Sequence, residues 1–409
     1  MIALGVFLLL GAADGLSVDQ AIALAVKQSP TLRARAAEQR EVIAEGAVDT
    51  QLENPQLRVG NFRSDRLITP AVKGQPYSDT PLGGLNVGLR WKPPNPMVGS
   101  ARNDEAKRRA EAVGAQAEGE KRALVAKVRT LYVTATNLDR QLQLAKQSVD
   151  LRIQLAALNR QRIAAQAARG VDSSLADLDE LEARAQLLEL EQKRRASLRE
   201  LTAVLGLAPG APLVLTTPDR ACEAPKEDVA ALAALATTND PKLEERKAKL
   251  LAVAAERSRA RLELIPWFDF VQLGYVLQNE STPGYAAFRL GVTLPLLGFN
   301  GNRVELLDAT RDRIDAEFEG DKDTLMRNLE EALADVRDDA ELVTRYREAA
   351  PRVVDERLSQ LQKSVEAGAT SQLDFAAVQA RSLSAQRAGL NAELHCQLSL
   401  IQLDAVVGR

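Results

Sequence analysis

The chain is poor in the residues from which most catalytic and metal sites are built. Among its 409 residues are one histidine, His395, and two cysteines, Cys222 and Cys396. One histidine supports neither a histidine zinc site nor a histidine pair for acid–base work, and two cysteines exclude a disulfide scaffold or a cysteine-based metal site. No phosphate-binding loop and no nucleophile–base set accompanies them. The sequence therefore does not predict an enzyme, and it implies no cofactor.

An excess of basic residues and long apolar runs are lacking as well. The net charge is −3 although 27% of residues are charged, and this balance argues against a nucleic-acid partner. Past the first 15 residues, no apolar run approaches the roughly 20 residues that a membrane-spanning helix needs. If this protein crosses a membrane, it must do so on strands. Aromatic residues make up only 4%, which favours long, closely packed helices over a large globular core.

The start of the chain has the pattern of a secretory signal. An apolar stretch is followed by small residues, which predicts a signal peptide over residues 1–15 with cleavage near Ala13 or Gly15. The basic residues that usually open such a signal are missing, as in a truncated start. A buried terminal strand or helix is the alternative. In an exported protein Cys222 and Cys396 could pair, and spacing alone leaves that open.

The most informative feature is a duplication at an offset of 211 residues. Pro30 corresponds to Pro241 and Pro55 corresponds to Pro266, each pair 211 residues apart. Between the two prolines of each copy lies a helical stretch, and after the second comes an alternating segment. A unit of this length is too long for a solenoid repeat and indicates two equivalent halves of one architecture. The predicted organisation is a signal over 1–15, a first repeat over 16–228 and a second over 229–409.

Each repeat is predicted to hold the same elements in the same order. The first begins with a helix over 17–53, which the capping pair Ser17 and Gln20 opens and Ser29-Pro30 interrupts. It continues with strands over 56–63 and 84–92, a long helix over 99–169, a helix over 174–205 and an equatorial connector over 206–228. The second contains a helix over 229–264, strands over 267–278 and 286–295, a long helix over 301–367 and a helix over 371–407. The predicted fold class is mostly α with a small β part.

The four strands alternate apolar and polar residues, so each has one apolar and one polar face. Four strands cannot close a barrel, and open edges are not tolerated in lipid. Three copies would supply twelve strands, which predicts a homotrimer with an outer-membrane barrel. The apolar residues would face lipid. Near the strand ends lie the aromatic residues expected at the membrane interface, Trp91, Trp267, Phe268 and Tyr285. A soluble sandwich is the alternative.

At this point the chain resembles the TolC family of outer-membrane efflux proteins. The residues that carry the resemblance are the opening 17–25, Ser29-Pro30-Thr31-Leu32, the string 52–57 and both Gly-x-x-Ser turns. The resemblance implies a trimer with a twelve-stranded barrel in the bacterial outer membrane and a long helical barrel in the periplasm. It also implies a passive exit duct, to which a periplasmic adaptor and an inner-membrane pump supply substrate and energy.

The resemblance further implies that the turn after each long helix is a periplasmic tip that meets the adaptor. The tip residues are Arg169, Gly170, Val171, Asp172, Ser173 and Leu175 in the first repeat, and Gly368, Ala369, Thr370, Ser371 and Leu373 in the second. Ser173 and Ser371 would cap the following helices. Asp172, Asp177 and Asp374 could form an acidic gate. Ordinary helix caps and solvated carboxylates are the alternatives.

Other functions stay open at this stage. A periplasmic coiled-coil adaptor and the outer-membrane component of a type I protein-secretion system are the rivals. The string 52–57 resembles family members paired with heavy-metal cation pumps, which favours metal over drug efflux. Since the pump selects the substrate, the sequence does not decide among them.

Overall fold

The computed structural model describes residues 15–63, 83–165, 170–216, 221–277, 284–294, 301–350, 356–367 and 371–409. The expected signal therefore lies almost wholly outside the described residues. The elements, in chain order, are α1 (Val18–Gln28), α2 (Pro30–Asp49), β1 (Gln56–Arg63), β2 (Gly83–Trp91), α3 (Pro96–Ala164), α4 (Gly170–Val204), α5 (Val229–Asn239), α6 (Pro241–Leu262), β3 (Trp267–Leu277), β4 (Tyr285–Thr293), α7 (Gly301–Ala350), α8 (Glu356–Glu366) and α9 (Gln372–Val407).

The helix starts follow from cap chemistry. The predicted capping box is confirmed at α1, where Ser17 accepts from the Gln20 amide and the Gln20 side chain accepts from the Ser17 amide. Three other helices begin at a proline preceded by a short polar residue. Before Pro30, Ser29 Oγ accepts from Leu32 N, and before Pro241, Asp240 Oδ1 accepts from Leu243 N at 2.7 Å.

Asn95 caps the third of these helices, α3, by accepting from Met97 N at 3.0 Å. Proline suits the first helical position because its missing N–H would have no intrahelical partner there. The same local device therefore starts helices in both repeats.

Several helix boundaries differ from those expected: α2 ends at Asp49 instead of residue 53, and α3 begins at Pro96 instead of residue 99. α4 begins at Gly170, so the expected turn at 170–173 belongs to the helix and Ser173 is not its cap. Glycine is accepted at helix N-termini, which allows this earlier start. The long helix expected over 301–367 corresponds to α7 and α8, and residues 351–355 between them, with Pro351, lie outside the described residues.

The chain divides into two compact units, each assembled from both repeats. The sheet unit consists of Arg35–Ala115 and Glu244–Glu319. The helical unit consists of Gln116–Leu243, Gly320–Arg409 and the chain up to Ala34. Because each unit draws on both repeats, the duplication pairs equivalent elements within a unit instead of producing one domain per repeat. Among the described residues, no helix is both long enough and apolar enough to span a membrane.

The sheet is antiparallel and has the strand order β1-β2-β3-β4. Each repeat contributes one hairpin, and β2 joins β3 across the repeat boundary with Gly88 opposite Gly274. The strands approach closely there, since a Cβ at Gly88 would lie 3.0 Å from the Leu273 carbonyl oxygen. Glycine at both positions is therefore a packing requirement of the central pair.

The helical unit has its deepest core around Tyr132 of α3. Tyr132, Leu201 and Leu205 are fully buried, together with Ala21 and Ala25 of α1. The Tyr132 hydroxyl lies 2.6 Å from the carbonyl oxygens of both Leu16 and Thr216. It thus ties the start of α1 to the connector after α4, because a buried hydroxyl needs such partners.

A disulfide joins Cys222 of the connector to Cys396 of α9, with the Cα atoms 6.1 Å apart. Both side chains are buried. The question that the sequence left open is thus resolved by tertiary structure. A bridge across 174 residues of chain restricts the unfolded ensemble strongly, by about 5 kcal/mol in the chain-entropy description.

Replacing Tyr132 by phenylalanine is expected to lower stability by about 1–3 kcal/mol, because the single hydroxyl proton shared by the Leu16 and Thr216 carbonyl oxygens is lost in a buried site. The measurement is the thermal unfolding midpoint of the detergent-purified protein. Tyr346→Phe on α7 is the matched control, since no hydrogen bond of its hydroxyl is described, and it should leave the midpoint unchanged. Equal midpoints for both variants and the parent would contradict a stabilising role of the Tyr132 hydroxyl.

Candidate functional site: the two-faced sheet and the helix tips

One face of the sheet is apolar from edge to edge and exposed. The strand register places Leu57, Leu89, Leu273 and Phe288 in one row across all four strands. Their exposed fractions run from 51% for Leu89 to 70% for Leu57. Neighbouring rows continue the same face with Val59, Val87, Leu85, Tyr275, Leu277, Val271, Leu290 and Val292. A continuous exposed apolar surface of this kind marks contact with lipid or with another protein.

The opposite face is polar. Gln56, Arg90, Gln272 and Arg289 are paired in one row across the four strands, and Arg58 lies on the same face of β1. Arg90 also lies over the Phe270 ring, with its guanidinium carbon 3.8 Å from the ring centroid. The strands therefore separate an apolar surface from a cationic one, the alternation expected of strands between lipid and water.

The predicted interface aromatics lie at two different levels of the sheet. Trp91, Trp267 and Phe268 are at one end, and Tyr285 is at the other, paired with Val276 of β3. Nine β3 positions separate Trp267 from Val276, which corresponds to about 30 Å along the strand and about 23 Å after a tilt of about 40°. That height matches an apolar band of about 25 Å between aromatic girdles.

The two tryptophans are anchored by the chain itself. Trp91 Nε1 donates to the Glu53 carbonyl oxygen and Trp267 Nε1 donates to the Pro93 carbonyl oxygen, each at 3.1 Å. Both N–H groups are thus satisfied while the rings remain partly exposed, as suits an indole at a membrane–water boundary.

A charge network joins three helices of the sheet unit. Glu105 of α3 is only 3% exposed and lies 2.5 Å from Arg109 and 3.0 Å from Arg259 of α6. Glu256 extends the network to Arg303 of α7 at 3.4 Å. Burial raises the pKa of Glu105 above its ordinary value, against the lowering effects of Arg109 and Arg259. The carboxylate is therefore costly to bury although it is paired.

The predicted tip residues are only partly within the described chain. Arg169, Gly368, Ala369 and Thr370 lie outside it, as do the side chains of Gly170, Val171, Asp172 and Ser173. Ser371 is the N-cap of α9 and accepts from Asp374 N at 3.2 Å. Leu175 is 57% exposed, whereas Leu373 packs against Leu151 and Leu155 of α3. The two tips therefore differ in what covers their leucines.

Of the three predicted gate carboxylates, Asp177 has a described partner. Its Oδ1 lies 2.9 Å from Arg160 of α3, and this hydrogen bond raises the pKa of Arg160 above its usual range. Asp374 is exposed in the first turn of α9. Sequence reasoning missed the Arg160 partner, although a basic residue near the end of one helix and an acidic one near the start of the next are a usable hairpin signal.

The second repeat carries a recognisable family signature. Residues 232–409 match the sequence profile of the family described as outer membrane efflux protein. Over these residues the chain is similar to that family. A comparison with curated proteins finds no sequence match. The predicted resemblance is thus confirmed, and the family is one of channels, not of enzymes.

Solved structures extend the likeness to nearly the whole chain. CusC, studied for folding and transmembrane channel formation, has a TM-score of 0.74 at 15% identity, over 95% of this chain and 91% of that one. The outer membrane protein VceC of Vibrio cholerae gives 0.70 at 14%, over 96% of each chain. The MtrE outer membrane channel of Neisseria gonorrhoeae, in its open state, gives 0.72 at 17%, over 96% and 88%. At these identities the likeness establishes the fold of such channels for both repeats.

A charge on the apolar face should block insertion into lipid. Leu273→Arg places a cation near the middle of β3, where its burial in lipid costs about 2–4 kcal/mol. We expect much less folded protein after insertion into lipid vesicles. Arg289→Leu on the opposite face is the control and should insert normally. Equal insertion of the two variants would show that the exposed apolar face does not contact lipid.

The raised pKa of Glu105 predicts an unusual pH dependence. The folded state binds this proton more tightly than the unfolded chain, so the contribution of Glu105 to stability is complete below the ordinary pKa of 4.5 and is lost as pH rises through the raised value. Glu105→Gln should therefore be more stable than the parent at pH 7 and equal to it at pH 4.

An opposite control is available on α4. The hydrogen bond from Lys193 lowers the pKa of the exposed Glu189. Its contribution is present above the ordinary pKa and lost as pH falls, so Glu189→Gln should have a small effect of the reverse sign at pH 7. Thermal unfolding at both pH values measures the two variants. A loss of stability at pH 7 in Glu105→Gln would contradict the dominance of burial.

Proposed function

We propose that this protein is the passive outer-membrane exit duct of a tripartite efflux system. The observation that carries the proposal is the four-stranded sheet, which exposes one continuous apolar face with aromatic residues at both ends. The family match of the second repeat to outer membrane efflux proteins supports it independently. In this proposal the sheet lies in the outer membrane and most of the chain lies in the periplasm.

The free edges of the sheet support assembly into a homotrimer. Within the described chain, the outer edges of β1 and β4 have no partner strand. Unpaired backbone N–H and C=O groups cost several kcal/mol each in lipid, so both edges must be satisfied by other copies. Three copies would place β4 of each beside β1 of the next and close twelve strands, an even number as bacterial barrels require.

The tips at the starts of α4 and α9 are proposed to meet a periplasmic adaptor, which in turn recruits an inner-membrane pump. Support comes from the position of both tips at helix-hairpin turns and from the exposed Leu175. Because Leu373 is covered by α3, the two tips would offer the adaptor different surfaces.

Asp172 and Asp374 are proposed as the acidic residues of a gate. Asp374 supports this by its exposure and by its place in the first turn of α9. Asp177 would act through its pair with Arg160, holding α3 and α4 together beside the opening. Small toxic compounds or metal cations are the proposed cargo, with the string 52–57 favouring cations, and type I protein secretion is the alternative.

Single-channel conductance in a planar bilayer, with the mass measured on the same sample, tests the proposal. A trimer that forms low-conductance pores is expected, and Asp172→Asn or Asp374→Asn should raise the conductance by removing charge at the closed end. Lys193→Gln, on an exposed helix face away from the tips, serves as the control. A water-soluble monomer without pores would overturn the duct in favour of a periplasmic coiled-coil protein.

A further inference from the structure

Equivalent helices of the two repeats differ in what covers them. The tip landmarks Gly170 and Gly368 are 198 residues apart, and this offset aligns α4 with α9 and α3 with α7. The buried core positions agree under it: Leu138 of α3 aligns with Val336 of α7, and both are buried. Faces that differ in exposure under this alignment therefore identify a contact that one repeat makes and the other lacks.

Within the chain, α9 packs against α3 through a small apolar cluster. Ala376 is buried among Leu151 and Leu155, and Leu373 and Leu383 pack beside it. The aligned residues of α4 are Leu175 for Leu373, Leu178 for Ala376 and Ala185 for Leu383. Leu175 and Leu178 are 57% and 61% exposed, and Ala185 is exposed too. The face that α9 buries is thus uncovered on α4.

The reciprocal face of α7 is uncovered in part. On α3, Asn137 and Gln141 are 3% and 4% exposed, because Asn137 Nδ2 donates to the Leu390 carbonyl oxygen and Gln141 Nε2 donates to Asn391 Oδ1. The aligned α7 residues are Asp335, which is exposed, and Asp339, which is half-buried and accepts a hydrogen bond from Ser399 of α9 at 2.7 Å. Further along the same face, Leu342 of α7 is 44% exposed.

The ion pair between α3 and α9 aligns with two residues of α7 and α4 in which the basic and acidic positions are exchanged. Arg140 of α3 lies 2.6 Å from Glu393 of α9. The offset aligns Arg140 with Asp338 and Glu393 with Arg195, so the basic residue changes helix and the charges are exchanged. Asp338 and Arg195 are both exposed, and neither has an ion pair described within the chain.

We infer that α4 of one copy packs against α7 of the next copy as α9 packs against α3 within the chain, with Arg195 pairing with Asp338 and Leu178 buried at the contact. The occupant of this surface is a second copy of this chain, since the complementary face with matching charge lies on α7 of the same sequence. The contact joins two different surfaces of neighbouring copies. Such head-to-tail contacts form a ring when the rotation between copies brings the last copy back to the first. The inference rests on the proposed trimer and adds the residues that join its copies.

Charge exchange tests the pair. Arg195→Glu or Asp338→Arg alone should raise by about tenfold the protein concentration at which the trimer dissociates, because like charges then meet at every interface. The double variant R195E/D338R should restore assembly. Arg140→Glu is the matched control inside the chain and should lower thermal stability without making the mass depend on concentration. Leu178→Ala should weaken assembly while leaving the exposed site of the free chain undisturbed.

Crosslinking gives a second measurement on the full chain in detergent. Treatment of R195C/D338C with a short bismaleimide should produce covalent dimers and trimers under denaturing conditions. R140C/E393C should crosslink at monomer mass, since its partners lie in one chain. A trimer by native mass with no interchain crosslink and no charge effect would overturn the contact and leave the duct intact. Monomers in every sample would overturn both.

Discussion

The structure depends on the constraint that backbone polar groups must be hydrogen-bonded wherever water is excluded. A sheet with a fully apolar exposed face is stable only against another apolar medium, and its two free edges then have no water to bond. The four described strands meet the first condition through alternation that a register shift between Phe268 and Phe270 interrupts once, and within the described residues their outer edges have no partner strand. In the proposed duct, association of copies would therefore follow from the hydrogen-bonding requirement.

Short-range sequence patterns determine much of this architecture, so it could be predicted from the sequence. Strand alternation located β1 and β3 at their first residues, because period-two patterning over eight or more residues is a strong signal. Proline preceded by a short polar residue located the start of α2 for the same reason, since cap and proline act within one turn. The duplication then predicted the element order of the second repeat from the first.

What the sequence did not predict are the contacts that join distant segments. The pairing of Cys222 with Cys396, the Tyr132 clamp and the network around Glu105 each join residues that are distant along the chain. No periodic pattern encodes them, because they depend on which helix faces meet. The early start of α4 was missed for a different reason: the glycine in the Gly-x-x-Ser motif indicates a turn, whereas glycine is also accepted at helix N-termini.

The charges that are exchanged between the two repeats also explain why, in the proposed trimer, α4 would not bind to α3 of a neighbouring copy. The two repeats share a fold, so α4 could in principle occupy the place of α9 on α3 of a neighbouring copy. Arg195 would then face Arg140. If α9 instead took the place of α4 on α7, Glu393 would face Asp338. Both wrong pairings place like charges together, while both correct pairings match opposite charges. A duplicated chain needs such a difference because its apolar faces are too similar to discriminate, and specificity requires a repulsive element as well as an attractive one.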